Sequence, residues 1–268
     1  MKEENNEVQM TFWEHVEVLR RVVLRCLAVW AVCAVAGFCF KDVLFDVMFA
    51  PSKSDFALYR GLCWLADRLG IASLCPADFE VLFINTELAS QFMVHIKVAL
   101  VVGVIVAFPY LILQLYGFIA PALYQQEKRY SVMLILCGVV LFAIGVLLNY
   151  FLIFPLAFRF LSTYQVQEIV VNQIALKSYI STLLMLSLMM GILFEIPIVA
   201  YYLAKLGLID RQLLTDYRKH AFIVLCILAA IITPTADIFT LLLVTLPLYL
   251  LYEISIHIVA HTKATNSD

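Results

Sequence analysis

The sequence predicts an all-α integral membrane protein with six transmembrane helices, short fifth and sixth spans, and cytoplasmic termini. Three observations carry that expectation. Of 268 residues, 64% are hydrophobic and only 14% charged, against roughly 25% charged in a soluble domain. Several apolar windows reach the roughly 20 residues needed to cross a bilayer. The cations are also shared unequally between the segments that join those windows.

The first 21 residues carry acidic groups close to two arginines and no small-residue cleavage site, so they read as a cytoplasmic amphipathic segment rather than a removable signal peptide. Within "VQMTFWEHVEVLRRVVLR", Met10, Trp13 and Val16 share one helical face. Residues 22–40 form span one, apolar except for Arg25, whose stem can snorkel. Residues 41–87 are too charged to cross and too apolar to be disordered, and they predict a folded extracytoplasmic loop with a short amphipathic helix at 54–70. Span two covers 98–123, kinked or broken near Pro109, and span three lies in the charge-free run 130–158. Span four covers 178–204, interrupted by Glu195 and Pro197. Two thin spans, 221–236 and 238–252, flank Asp237, and a single buried hairpin is the other reading of the same residues. At 1.5 Å per residue they fall short of a hydrocarbon core of roughly 30 Å. The whole chain, 1–268, reads as one polytopic membrane domain ending in a cytoplasmic tail, 262–268.

Six spans put both termini on one side, and charge selects the side. Eleven cations lie on the terminal side (Lys2, Arg20, Arg21, Arg25, Lys128, Arg129, Lys205, Arg211, Arg218, Lys219 and Lys263) against six on the other. Cytoplasmic segments carry the excess of Lys and Arg. The "QQEKR" segment around Glu127 is therefore expected to be cytoplasmic.

No phosphate-binding loop, HExxH, GxSxG or dinucleotide-binding pattern occurs, and five scattered His make no metal site. Neither a cofactor nor a metal is expected, and the small net charge of −2 does not point to nucleic acid. Five of the seven cysteines lie in apolar runs and read as small hydrophobes. Cys63 and Cys75 share the polar loop, and whether they form a disulfide is open at this level.

Polar groups in apolar surroundings remain. Glu195, in "LFEIPIV", must face a bundle interior or a cavity, or be protonated, and a neutral carboxylic acid bonded to a neighbouring helix explains it equally well. Pro197 frees a carbonyl one turn back. Asp237 fits a helix cap. Glu127 is either a solvated partner of Lys128 and Arg129 or a carboxylate shaped for a planar, multi-donor guanidinium. If the two cytoplasmic segments meet, Glu14 and Glu17 add carboxylates near it.

"FWEHVEVLRR", "APSKS" with Pro51, "FPYLILQLYGFIAPALYQQEKR", "NYFLIFPLAFRFL", "FEIPIV" and "ITPTADIFT" together resemble the TatC family, the multispanning receptor subunit of the twin-arginine protein translocase, over about residues 10–260. The resemblance implies a non-enzymatic component of a bacterial cytoplasmic membrane that binds signal peptides of folded cargo. It also implies transport driven by the protonmotive force with single-span TatA- and TatB-type partners, in a hetero-oligomer of several copies. Glu127 then corresponds to the family's arginine-binding glutamate, with Phe118, Pro121 and Arg129 beside it and Arg20 near span one. Glu195 and Asp237 correspond to its intramembrane acids, and Pro51, Pro109 and Pro197 are structural. Val18 stands where the family has a second glutamate, leaving Glu17 as the candidate, one residue and 100° away on a helix. Leu241 replaces a frequent glutamine, which shifts any polar docking point on span six to Thr240 or Thr245. The competing reading is an ion-coupled secondary transporter of a small solute with Glu195 as carrier. It requires an internal repeat, and none is evident between residues 1–130 and 131–268.

Overall fold

Long apolar runs become long helices because hydrocarbon offers no partner for backbone N–H and C=O groups, and a helix satisfies them within one segment. The computed structural model describes residues 12–71, 75, 81–119, 128–165, 167, 172–233 and 237–264. Among these, α1 (Phe12–Cys39), α2 (Lys41–Phe49) and α3 (Ala57–Leu69) precede α4 (Ser90–Ile119). Then come α5 (Lys128–Leu148), α6 (Phe154–Thr163), α7 (Leu176–Leu193) and α8 (Ile196–Lys205). The chain continues through α9 (Arg211–Asp216) and α10 (Arg218–Ile232) to α11 (Ile238–Ala264). Five stretches are long and apolar enough to cross a membrane: 16–39, 90–117, 133–163, 176–205 and 238–260.

Several expected boundaries move. Span two is one helix that passes through Pro109 without interruption. Span three runs from α5 to α6 through a wider π turn, Asn149–Ile153, just before Pro155. Proline supplies no N–H to the preceding turn, and a π turn absorbs that mismatch. The last span is much longer than its charge-free run of 238–252. Glu253 does not stop it, because its carboxylate accepts bonds from Arg218 at 2.8 Å and Tyr249 at 3.1 Å. By contrast α10 has only 15 residues.

The core centres on α7, where eight residues from Tyr179 to Gly191 are buried, whereas α1 has Ala34 alone buried among its described residues. Ile180, Leu183, Leu186 and Met190 of α7 meet Ile153, Phe154, Val244 and Leu248. At one end of the bundle, two short parallel strands, β1 (Phe83–Ile84) and β2 (Ile174–Ala175), tie the loop before α4 to the loop before α7. Lys177 and Glu87 pair beside them at 2.9 Å. The expected loop helix is α3, and the Cys63–Cys75 disulfide forms. Pro51 lies buried in a 3₁₀ turn between α2 and α3, where the Ser52 hydroxyl donates to Phe49 O.

Candidate functional site

The antiparallel pairing of α1 with α4 positions the amino-terminal candidates. Gly103 lets the two backbones touch, since a Cβ there would stand 2.9 Å from Ala34 Cα. Trp30 Nε1 donates to Leu100 O at 3.0 Å. This register carries Leu19 of α1 and Leu115 of α4 to one apolar cavity of about 490 Å³. Glu17 and Arg20 therefore stand at the end of the bundle where α4 stops and residues 120–127 begin.

Phe118 falls in the last turn of α4 and Arg129 in the first turn of α5, so both bracket that connection. Glu127 and Pro121 lie outside the described residues. Arg20 is exposed. Glu17 is exposed too, but its carboxylate already pairs with Arg21 one turn on. Val18 is half-buried on a different face.

Glu195 occupies the break between α7 and α8. Pro197, in the first turn of α8, has no N–H for a carbonyl one turn back, and the helix restarts with Ile198 N and Val199 N both donating to Glu195 O at 3.0 Å. The side chain reaches a cavity of about 380 Å³ walled by Phe108, Ile112, Tyr116, Ile135, Ile198 and Tyr202. Its Oε1 is buried without a hydrogen-bond partner among the described residues. Gly138 makes the room: a Cβ there would lie 3.1 Å from Glu195 Oε2. One of two glycines in an apolar span is the available signal, but its neighbour is 57 residues away in sequence and unreadable from it.

Asp237 caps α11, its Oδ1 accepting Thr240 N at 2.6 Å. Thr240 is 1% exposed and Thr245 2%, and Thr245 donates its hydroxyl to Leu241 O. The Thr245 hydroxyl is thus engaged within α11, whereas the Thr240 hydroxyl, buried without a hydrogen-bond partner among the described residues, lines a cavity of about 350 Å³ with Phe158, Tyr179 and Thr182. Sequence reasoning also missed a buried amide: Asn149 Nδ2 donates to Ser187 Oγ at 2.8 Å inside the bundle. No group of His, Cys, Asp and Glu that could hold a metal ion occurs among the described residues.

Five stretches long and apolar enough to cross a membrane, with a half-buried carboxylate at a helix break, define a polytopic helical membrane protein. Residues 14–247 match the model of the family "Sec-independent protein translocase protein (TatC)". The chain is 37% identical over 265 residues to the Sec-independent protein translocase protein TatC of Blattabacterium sp. subsp. Periplaneta americana, covering 96% of this chain and 97% of that one. It is 33% identical over 248 residues to the TatC of Aquifex aeolicus, covering 92% and 93%. A crystal structure of the twin-arginine translocase receptor TatC superposes with a TM-score of 0.75 at 31% identity, over 93% of this chain and all of the other. The chain belongs to the TatC family and is a component of the twin-arginine protein translocase.

Proposed function

We propose that the chain is the signal-peptide receptor and core multispanning subunit of that translocase in the bacterial cytoplasmic membrane. In this reading it crosses six times with both termini cytoplasmic, the loop 41–87 extracytoplasmic, and it exports folded proteins at the expense of the protonmotive force. Glu127 grips a guanidinium of the twin-arginine signal in bidentate geometry. Phe118, Pro121 and Arg129 shape its surroundings, and Arg20 and Glu17 approach from α1. Glu195 and Asp237 serve transport with single-span TatA- and TatB-type partners, in a complex of several copies. It is a binding component without covalent chemistry, cofactor, metal or nucleic acid.

The α1–α4 register is the observation that supports the reading, since it puts Glu17 and Arg20 of α1 at the end of the bundle where α4 stops at Ile119 and α5 starts at Lys128. That the solved neighbours are twin-arginine translocase receptors supports it. Glu17, already held by Arg21, makes a weaker second carboxylate. Site-specific cross-linking from positions 118–129 to a twin-arginine signal peptide, with a twin-lysine control, tests the reading. Glu127→Gln is expected to abolish that cross-link and export while membrane insertion persists; normal export by this variant would remove Glu127 from the site.

A further inference from the structure

The amphipathic helix α3 packs on span three at the end of the bundle away from Glu17 and Arg20. Its inner face is well anchored. Tyr59 and Ala66 are each 2% exposed, and the Tyr59 hydroxyl donates to Pro155 O at 2.9 Å. Phe56, just before the helix, stacks on Phe151 at 5.8 Å and meets Tyr150 edge-on at 5.6 Å.

These contacts fix the depth of α3. Residues 150–155 belong to span three and precede Arg159, the first charge after its apolar run, by four to nine residues. At 1.5 Å per residue that is about 6–13 Å inside the span's charged end. The amino-terminal end of α3 therefore lies beside span three, level with its outer turns, rather than above it.

The outward face has the matching chemistry. Arg60, Trp64 and Arg68 recur at steps of four and form one stripe. Trp64 is 62% exposed and Leu69 58%, and the Arg68 guanidinium stands 5.4 Å from the Trp64 ring centroid. Phe151 of span three, on which Phe56 stacks, and Leu152 beside it are both exposed on the outside of the bundle. Tryptophan favours the boundary between headgroups and acyl chains, and arginine favours phosphate oxygens. Arg60 is already paired with Asp55 at 3.5 Å, which leaves Arg68 as the stronger phosphate ligand.

We propose that α3 is an interfacial anchor whose Trp64–Arg68 edge lies in the headgroup boundary of the adjoining leaflet, with Arg68 on lipid phosphate. The anchor fixes the extramembrane loop to the bilayer surface as well as to span three. The inference rests on span three crossing the membrane, and it is independent of signal-peptide binding.

Brominated-lipid quenching tests it on the full-length protein reconstituted in phospholipid vesicles. The Trp64 signal is the difference between native protein and Trp64→Phe, with Trp64→Tyr as a second subtraction should the first variant fold poorly. Expected is a blue-shifted component that loses most of its emission to lipids brominated near the top of the acyl chain and little to aqueous acrylamide. A component quenched by acrylamide and untouched by brominated lipid would overturn the proposal and leave this edge as a surface for water or another protein. Cross-linking of the signal peptide is unaffected by either result, so the two readings fail separately.

Discussion

Gly145 shows how closely spans three and four approach, because a Cβ there would stand 2.6 Å from Met190 O and 2.8 Å from Phe194 Cγ. Alanine in a helix gains about 0.5–1 kcal/mol over glycine, but pushing backbone apart costs about 1–3 kcal/mol. Gly145→Ala is therefore expected to lower the thermal midpoint in detergent. Gly138→Ala, whose nearest obstacle is the flexible end of Ile112 at 2.5 Å, is expected to lower it less. Equal losses would show that α5 and α7 are packed more loosely than this. The acids were legible in sequence because charge is conspicuous in an apolar run: Glu195 and Asp237 could be singled out without neighbours. Gly138 and Asn149 could not, since a missing side chain or a lone amide acquires meaning only from the helix opposite. The carboxylate of Glu17 was legible as a residue but not as already paired, because its Arg21 partner depends on rotamers.

Among the elements, α3 depends on one clasp more than on its own propensity. Burial pushes the Tyr59 hydroxyl up to about 12 from 10, with the Arg159 guanidinium opposing. A raised pKa means the protonated donor is favoured in the folded state. Its contribution is then complete below pH 10 and is lost as pH rises through about 12. Tyr59→Phe leaves the Pro155 carbonyl without this donor, at a cost of about 1–3 kcal/mol. The gap in thermal midpoint between native protein and Tyr59→Phe should be constant at all lower pH and shrink above pH 10; a gap that widened with alkali would exclude this role for the hydroxyl. Helix positions were largely readable from hydropathy, including α3 itself. Helix ends were not: Glu253 looks like a terminator in sequence, yet its pairing with Arg218 lets α11 run 27 residues. The π turn before Pro155 and the Cys63–Cys75 bond are likewise decided by geometry across segments.

For the whole molecule, the decisive element is α10, which the proposed six-span reading makes its shortest crossing. Five long apolar stretches alone would put the two termini on opposite faces, whereas a sixth crossing returns the carboxyl end to the side of α1. Helix α10 leaves the end marked by Lys205 and α9, where Arg218 meets Glu253. It arrives at the end where Phe239 stacks on Phe160 at 4.4 Å, so it traverses the bundle. Its 15 residues amount to about 22 Å, less than a hydrocarbon core of roughly 30 Å. A mismatch of this size costs only fractions of a kcal/mol per Å when the bilayer thins, which the burial of Leu225, Ala229 and Ile232 against the bundle can offset. A cytoplasm-dependent fluorescent reporter fused after residue 264 should therefore fold and emit, and a periplasm-dependent phosphatase fused there should stay inactive. The same phosphatase inserted near residue 54 should be active. A phosphatase active at both positions would mean that α10 lies within one leaflet, five crossings remain, and the cytoplasmic placement of the carboxyl end is wrong.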